Sequence, residues 1–456
     1  MTEAFLFYAM ILAFGAIYIG LAVMPQKRIA TKTDYFLAGR GLGFFKATCT
    51  LIATQLGAGL LLGTSQEAYK IGLYGLLFTL GISLGLILLG CGIAGRLREL
   101  NIVTTTQIFE TKYNSPFLRK VASLIVTFTL CGILVGNMVA SKSLVNSLGF
   151  SSELFYFIFW LFIIAYTMLG GLRAVVLTDL FQVAFIIVTF SFIIGYSLWL
   201  FPPTLSLDAL RTAQQQFSGQ VPDMHTLTIM LLMPALFALF EQDLAQIFFA
   251  SKTKKVATMA AMATTVFMLT FGLIPIYLGA QAKLMGMAVA ANQSPLLALI
   301  KSISNSFILV MVACGILAAI ASTADALLCA IGANITQDFS LSFLGLSPLV
   351  ESKATIFTMG MAVLGLSYII PSDVISILIR SYELPVNCLL VPILAAYFFD
   401  DAVKRYAGIG GLLGGLVGLV FFNLILPVSV PSLYTLGLSL IGYLVGFFMQ
   451  RKLKTA

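Results

Sequence analysis

Three polar side chains inside one apolar segment are the first candidates for chemistry. Residues 318–325 read AAIASTAD, which places Ser322, Thr323 and Asp325 together. Ser322 and Asp325 are three residues apart and therefore share one face of a helix. Two hydroxyls beside a carboxylate supply only hard oxygen donors, which suit a hard cation better than a soft metal. Hydroxyls in membrane helices also bond carbonyls of their own helix. That alternative explains Ser322 or Thr323 but not Asp325.

Ionisable side chains inside apolar segments form a larger group of candidates. Such residues are costly at membrane depth and are functional candidates by default. They are Lys142, Asp179, Glu241, Asp243, Asp325, Arg380 and Glu383. For Asp179, Glu241 and Asp243 a solvated or capping role near the membrane interface stays open, whereas Asp325 and Arg380 lie deeper.

The elements that position these groups are long apolar segments. The chain has 456 residues, of which 60% are apolar and only 10% charged, whereas soluble domains carry about 25% charged residues. The apolar runs are about 18 to 28 residues long, enough to cross a ~30 Å hydrocarbon core. We predict an all-α integral membrane protein with about thirteen transmembrane helices. The predicted spans are 5–25, 45–67, 72–96, 119–146, 152–170, 175–200, 226–250, 256–283, 306–334, 353–371, 373–400, 407–426 and 431–450.

Basic residues predict the orientation, because cytoplasmic loops carry the excess of Lys and Arg. One set of loops holds Lys27, Arg28, Lys32, Arg40, Arg96, Arg98, Lys112, Arg119, Lys120, Arg173, Lys252, Lys254, Lys255, Lys404, Arg405, Arg451, Lys452 and Lys454. The opposite loops offer little beyond Lys70, Arg211, Lys283 and Lys301. We expect a multi-pass protein of the cell membrane, bacterial inner membrane in type, with its N-terminus outside and its C-terminus in the cytoplasm. The net charge of +8 is then a topology signal and not a nucleic-acid site.

Two predicted spans contain helix-breaking sequences. Residues 55–59 read QLGAG, and the seventh span contains Met233-Pro234 followed by FEQD at 240–243. Glycine weakens a helix and proline removes a backbone donor. Interrupted helices at corresponding places in two halves indicate a transporter site built from inverted repeats, although Gly and Pro are also simply commoner in membrane helices.

The spacing of the two interruptions divides the chain. We expect residues 1–44 to form a peripheral first helix and a cytoplasmic loop, and 45–200 to form the first five-helix repeat. Residues 201–225 are expected to form an extracellular loop, 226–400 the second repeat, and 401–456 two peripheral helices.

Several short motifs along the chain together resemble one known family. They are YFLAGR at 35–40, LIATQ at 51–55, GTS at 63–65, LGGLRAV at 169–175, TDLFQ at 178–182 and STAD at 322–325. In this order they are similar to the sodium:solute symporter family, which includes the proline, galactose, sialic acid and choline transporters. The resemblance covers about residues 35–400. It implies a leucine-transporter-like fold with a 5+5 inverted-repeat core, and sodium-driven solute uptake by alternating access.

The resemblance also implies where ions bind. Family members hold sodium through backbone carbonyls of the broken second span and groups on the ninth, which here are Ala53, Leu56, Ala319, Ser322 and Thr323. One sodium ion is therefore expected. Relatives with a second sodium site use an aspartate that Asp179 matches, but their serines are replaced here by Asp325 and Ala326. Whether a second sodium ion binds at Asp179 and Asp325, or a proton on Asp325, is left open.

The solute is expected at the membrane midplane, between the two broken helices. The candidate substrate-binding residues are Gln55, Gly59, Leu60, Phe237, Glu241, Arg380 and Glu383. Because an arginine fork matches a carboxylate, Arg380 favours an amino acid or a small carboxylate. An internal pair of Arg380 with Glu383 or Asp325 is the alternative. Choline is disfavoured, because quaternary ammonium ions need aromatic cages and Gln55 stands where choline transporters carry tryptophan.

Other function classes have less support. A proton-coupled symporter of the same fold and a non-transporting, symporter-like membrane sensor remain alternatives. No nucleophile–base constellation accompanies the single histidine, His225, so we expect no enzyme activity. The expected partners are a small-molecule substrate and the lipid bilayer, with no nucleic acid and no obligatory protein partner.

Overall fold

The computed structural model describes residues 2–26, 29–149, 152–201, 217, 222–290, 293–339, 345, 347–370, 374–399, 403–426 and 428–455. Within these residues the regular elements are all helices, and eleven helical runs are long and apolar enough to cross a membrane. Two of them, of 41 and 48 residues, would span about 60 to 70 Å at 1.5 Å per residue. A turn at Gly72–Gly75 and a break at Gly171 divide these two runs. The count becomes thirteen, as predicted.

The thirteen segments are named in chain order. They are α1 (Thr2–Val23), α2 (Phe44–Gln55 and 59–71), α3 (76–99), α4 (Pro116–Ser147), α5 (153–170), α6 (172–200), α7 (Met224–Ala238 and Gln242–Ala250), α8 (Lys254–Leu284), α9 (Ser306–Asp338), α10 (Pro348–Ser367), α11 (Val374–Phe398), α12 (Arg405–Ile425) and α13 (Pro431–Lys452). Shorter helices are Lys32–Leu37, Ile108–Thr111 and Pro295–Ile303.

Polar caps begin several of the long helices. Ser115, Ser152 and Asn305 precede α4, α5 and α9, and each side chain accepts a hydrogen bond from a first-turn N–H at 3.0 to 3.3 Å. Such caps satisfy N–H groups that have no partner inside the helix. The apolar stretches therefore start at defined residues.

Gly171 separates α5 from α6. Its φ of 52° lies in the left-handed region, which glycine adopts at little cost. A Cβ at this position would lie 2.5 Å from the carbonyl oxygen of Tyr35. Both the bend and the close packing on the Lys32–Leu37 helix therefore require glycine here.

The helix packing has the pairing that two repeats predict. α3 packs against α7 and α2 against α8; α4 packs against α11 and α9 against α6. When each helix is replaced by the one five positions before or after it in the chain, the α3–α7 pair becomes the α8–α2 pair. In the same way the α4–α11 pair becomes the α9–α6 pair. The boundaries of the repeats themselves stay a prediction.

Burial separates a central helix from peripheral ones. In α9, 83% of the most apolar stretch is buried, against 17% in α1 and 28% in α12 and α13. The polar groups of α9 therefore lie in the middle of the bundle, as the candidate ion ligands require.

A polar network joins α4 and α9 at the end of the bundle that carries the basic loops. Arg119 Nε lies 2.8 Å from Asp338 Oδ1, and Arg119 Nη2 donates to the Gln337 carbonyl at 2.6 Å. The Thr104 hydroxyl also donates to Asp338, at 2.8 Å. Because Asp338 is buried, this network holds α4 and α9 together at this end through a charge pair with little access to solvent.

Candidate functional site

The break in α2 exposes carbonyl groups in the middle of the bundle. The first half of the helix ends at Gln55, and Leu56 has φ −76° and ψ 16°. The Ala58 N–H donates to Asn137 Oδ1 of α4 at 3.2 Å instead of to the helix. The carbonyls of Ala53 and Thr54 are thereby left for groups from another helix.

Those groups are the two neighbouring hydroxyls of α9. Ser322 Oγ donates to the carbonyls of Ala53 and Ala319, both at 2.9 Å. Thr323 Oγ1 donates to the carbonyls of Thr54 at 2.9 Å and Ala319 at 3.2 Å. The two hydroxyls and the carbonyls of Ala53, Thr54 and Ala319 are five buried oxygen atoms. Oxygen is the ligand atom that a sodium ion prefers.

The structure brings together four of the five predicted sodium ligands. Leu56 is fully buried at the end of the helix, but none of the hydrogen bonds described for Ser322 and Thr323 reaches its carbonyl. Thr54 was not predicted, although it is the neighbour of Ala53 in the same last helical turn. Whether these residues hold sodium stays a prediction.

Gly57 sets the closeness of α2 and α9 at this cluster. A Cβ there would lie 2.5 Å from Thr323 Oγ1 and 3.1 Å from its Cβ, so Gly57→Ala must push the two helices apart. We expect sodium affinity to fall at least about tenfold, since 1.4 kcal/mol of lost contact is one decade. The thermal stabilisation of purified protein by sodium measures this affinity without a known solute.

Gly43→Ala is the matched control for Gly57→Ala. Gly43 precedes the same half-helix, and an added Cβ meets nothing within 4 Å. If Gly57→Ala bound sodium as tightly as Gly43→Ala, the close approach of α2 to Thr323 would have no role in ion binding.

A second group of buried oxygens lies where α6 faces α9. Tyr166 donates to Asp325 Oδ2 at 2.8 Å, and Asp325 is close enough to Asp179 for their charges to interact. Asp325 Oδ1 and both carboxylate oxygens of Asp179 have no hydrogen-bond partner among the described residues. Gln182 lies about one turn further along α6, and its amide oxygen and nitrogen also have no hydrogen-bond partner among the described residues. Unpaired buried carboxylates are costly, and a cation held between them would remove that cost.

A narrow cavity of about 40 Å³ lies between the two broken helices. It is lined by Thr54, Gln55, Gly57, Gly59, Leu60, Phe78, Ile82, Ile133, Asn137, Glu241, Asp243, Thr323, Leu378 and Tyr382. Four predicted substrate residues are among them: Gln55, Gly59, Leu60 and Glu241. The ion cluster adjoins this cavity, because Thr54 and Thr323 belong to both.

The break in α7 delivers two carboxylates to the cavity. The helix passes through Pro234 without interruption and breaks at 239–241, five residues beyond the predicted proline. Membrane helices tolerate proline where neighbouring groups satisfy the freed carbonyl. Glu241 ends the break and Asp243 follows it. They are 8% and 3% exposed, so a solvated interface position does not apply to them, whereas a capping role at the start of the second half of α7 stays open.

Three other predicted substrate residues stand further away. Phe237 does not line the cavity. Its ring stacks on that of the lining residue Tyr382, with ring centroids 4.7 Å apart. Arg380 is exposed and is not part of the lining. It is two residues from both Leu378 and Tyr382, which puts it about 200° around the helix from each. Glu383 instead accepts a hydrogen bond from Ser432 of α13 at 3.4 Å.

The predicted substrate set lacks several polar lining residues, which are Thr54, Asn137, Asp243, Tyr382 and the predicted sodium ligand Thr323. A lone amide inside an apolar helix is a signal that could have identified Asn137. Asp243 was recognised as ionisable, but sequence spacing alone cannot say which way it points from a broken helix.

A wider cavity of about 760 Å³ opens at the other end of the bundle. It touches α2, α4 and α11 at Gln66, Val139 and Val374, three of the helices that also line the narrow cavity. Gln66 is six residues beyond Leu60 in α2, a rise of about 9 Å. The wide cavity, named the vestibule from here on, therefore lies above the narrow one.

Comparisons with known proteins agree with this architecture. The model of the sodium:solute symporter family matches residues 35–418. The sodium/proline symporter of Haemophilus influenzae is 28% identical over 355 residues, 73% of this chain and 70% of that protein. The sodium/pantothenate symporter of Escherichia coli is 30% identical over 181 residues, and the match spans only 37% of its length and 38% of this chain.

Two solved structures share the fold. A Na⁺-coupled sialic acid symporter in a substrate-bound outward-open state superposes with a TM-score of 0.78 at 16% identity, covering 98% of this chain and 97% of that one. Mhp1, a nucleobase-cation-symport-1 family transporter in a closed conformation, gives 0.64 at 13% identity, covering 92% and 94%. The helix count, the paired breaks and a family match over 384 residues (35 to 418) lead to one conclusion: this chain is a membrane protein of the sodium:solute symporter family.

Proposed function

We propose that this chain is a secondary active transporter that couples inward sodium flow to the uptake of a small polar solute, an amino acid in preference to a small carboxylate, by alternating access. The observation that carries the proposal is the contact of the Ser322 and Thr323 hydroxyls with carbonyls of the broken α2, directly beside the narrow cavity. Thr323 belongs to both places. An ion and a solute bound there would stabilise the same arrangement of α2 and α9, which is the physical requirement for coupling.

The second part of the proposal is a second cation at Asp179 and Asp325. The three carboxylate oxygens without a partner support it, together with the hydroxyl of Tyr166. Oxygen donors of this kind suit sodium, and a proton is the alternative cation. The residues would hold the ion; the ion would supply the charge that crosses the membrane potential.

One transported charge is enough for nutrient uptake. A single charge crossing 100 mV contributes about 2.3 kcal/mol, which corresponds to roughly forty-fold accumulation at 1.4 kcal/mol per decade. A second charge would square that ratio.

The proposed orientation follows from the basic loops. We place the N-terminus outside and the C-terminus in the cytoplasm of a bacterial inner membrane. The vestibule then faces outward, and the Arg119–Asp338 network holds α4 and α9 together at the cytoplasmic end. Both features support an outward-facing arrangement of the carrier.

Uptake by purified protein in liposomes tests the function. Labelled amino acids and small organic acids are offered with an inward sodium gradient, with a proton gradient, and with neither. We expect accumulation of at least one compound, at least tenfold greater with the sodium gradient than without it. Equal uptake in all three conditions would contradict coupling. Uptake driven by protons alone would favour the proton-coupled alternative, and sodium binding without uptake of any compound would favour the sensor.

A further inference from the structure

The narrow cavity has two carboxyl groups in its wall that no basic side chain of its described lining balances. Glu241 and Asp243 are both in its wall, and none of the described lining residues is a lysine, arginine or histidine. Arg380, the basic residue expected to bind the solute, is exposed on the far side of α11. A simple anionic solute would therefore meet like charges in this cavity.

Neither carboxylate has a charged partner among the described lining residues. Asp243 is 3% exposed, and its carboxylate accepts from the backbone N–H groups of Asp243 and Leu244, but its Oδ1 has no hydrogen-bond partner among the described residues. Glu241 Oε2 faces Gln55 Nε2 at 3.5 Å, which is longer than an ordinary hydrogen bond. A buried carboxylate in this condition needs a donor with positive charge.

The helix ends at the two breaks do not neutralise the carboxylates. The second halves begin at Gln242 and beside Gly59, and the first halves end at Ala238 and Gln55. Each N-terminus is equivalent to about half a positive charge and each C-terminus to about half a negative charge, so the four ends cancel. A cationic group on the solute would supply the missing positive charge.

The remaining walls describe the shape of that group. The rings of Phe78 and Tyr382 line the cavity, and Leu60 and Leu378 add apolar surface. Aromatic rings attract cations. An ammonium group can donate N–H bonds to both carboxylates, whereas a quaternary ammonium has no N–H to donate.

We propose that the transported solute carries a primary or secondary ammonium group, and that Glu241 and Asp243 bind it across the break in α7. This inference rests on the proposed transport function. The rest of the solute would extend from the cavity toward the vestibule, after Leu378 or Phe78 moves aside.

Matched pairs of solutes test the proposal in proteoliposomes containing the full chain. The pairs are alanine and propionate, 4-aminobutyrate and butyrate, proline and cyclopentanecarboxylate, and ethanolamine and ethylene glycol. We expect sodium-driven uptake of the labelled compound only with members that carry the amine. Glu241→Gln and Asp243→Asn should each raise the KM for the transported amine at least about thirtyfold, because one partner of a buried charge pair is lost.

Controls separate recognition from folding. Asp243→Glu keeps the charge and should retain most of the affinity for the amine. Glu99→Gln removes an exposed carboxylate that pairs with Lys254 at the basic-loop end and should leave KM unchanged. Sodium-induced thermal stabilisation should persist in Glu241→Gln and Asp243→Asn, which shows that both variants fold.

The outcomes of this experiment are distinct. Three results would overturn the ammonium proposal. They are sodium-driven uptake of amine-free members, no sodium-driven uptake of any of the amines, and an unchanged KM in both variants. Amine uptake that is sensitive to Glu241→Gln but independent of sodium would support ammonium recognition and overturn the proposed coupling.

Discussion

Replacing Ser322 and Thr323 together by alanine should abolish sodium-driven uptake. Both hydroxyls lie on carbonyls of α2, with oxygen–oxygen distances of 2.9 Å, and each would be a direct ligand of the ion. Contacts to a charged group are worth about 1.5–3 kcal/mol each, so the double variant should lose about 3–6 kcal/mol of sodium binding. At 1.4 kcal/mol per decade this is about a 10²- to 10⁴-fold weaker affinity. Sodium-dependent thermal stabilisation and sodium-driven uptake measure the loss.

Folding should survive this double substitution. Hydrogen bonds between membrane helices contribute only about 0.6 kcal/mol each on average. Thr336→Ala is the matched control, because that hydroxyl lies on the same helix but donates to the Gly332 carbonyl, four residues back, at 2.7 Å. A double variant whose sodium response equals that of Thr336→Ala would exclude the Ser322–Thr323 cluster as the ion site.

Asp179→Asn should remove one positive charge from each transport cycle. The carboxylate has no hydrogen-bond partner among the described residues and interacts with Asp325, so in the proposed second site it supplies much of the attraction for a cation. Losing one charge should lower the steady-state accumulation about forty-fold at 100 mV. The ratio of charge to solute moved, measured in proteoliposomes at fixed voltages, should fall from two to one.

The identity of the second ion follows from two flux measurements on the same vesicles. Radioactive sodium and a pH-sensitive dye show which flux Asp179→Asn removes. Uptake should continue in this variant because Ser322 and Thr323 are intact. A charge-to-solute ratio that is the same in Asp179→Asn and in the unmodified protein would contradict a second cation site.

These predictions concern two ion sites that differ in how they could be recognised. Ser322 and Thr323 are identifiable from hydroxyls at adjacent positions in an apolar run, and their partner Ala53 from the family motif beside the QLGAG break. Asp179 and Asp325 are 146 positions apart (325 minus 179), and each is only an isolated buried acid in its own segment. Tyr166 and Gln182 have ordinary places in apolar helices, so nothing local marks them as neighbours of the two carboxylates.

The residues around the substrate cavity were even harder to predict from the sequence than the ion ligands. Gln55, Gly59 and Leu60 were predictable because they form the break in α2 itself. Arg380 was predicted from its type, yet it is on the face of α11 opposite to Leu378 and Tyr382. The rotation of a helix about its own axis is difficult to read from a segment that is apolar on nearly every side.

The seventh helix shows why a breaking residue is not the same as a break. Pro234 lies inside a continuous helix, and the chain opens at 239–241 instead. Proline marks a place where one backbone hydrogen bond is lost, but neighbouring helices decide whether the chain bends there. Only the packed structure shows that the opening falls beside Glu241 and Asp243.

About thirteen membrane crossings, an interruption in two corresponding helices, and candidate sodium ligands at Ser322 and Thr323 can all be predicted from the linear chain. Those features depend on segment length, backbone chemistry and local motifs. Which faces of α4, α7, α9 and α11 meet in the narrow cavity depends on how the helices pack. The packing places two carboxyl groups and no arginine in the described wall, which led from the predicted carboxylate anchor at Arg380 to the proposed ammonium group, because charge balance depends on distances between residues far apart in the chain.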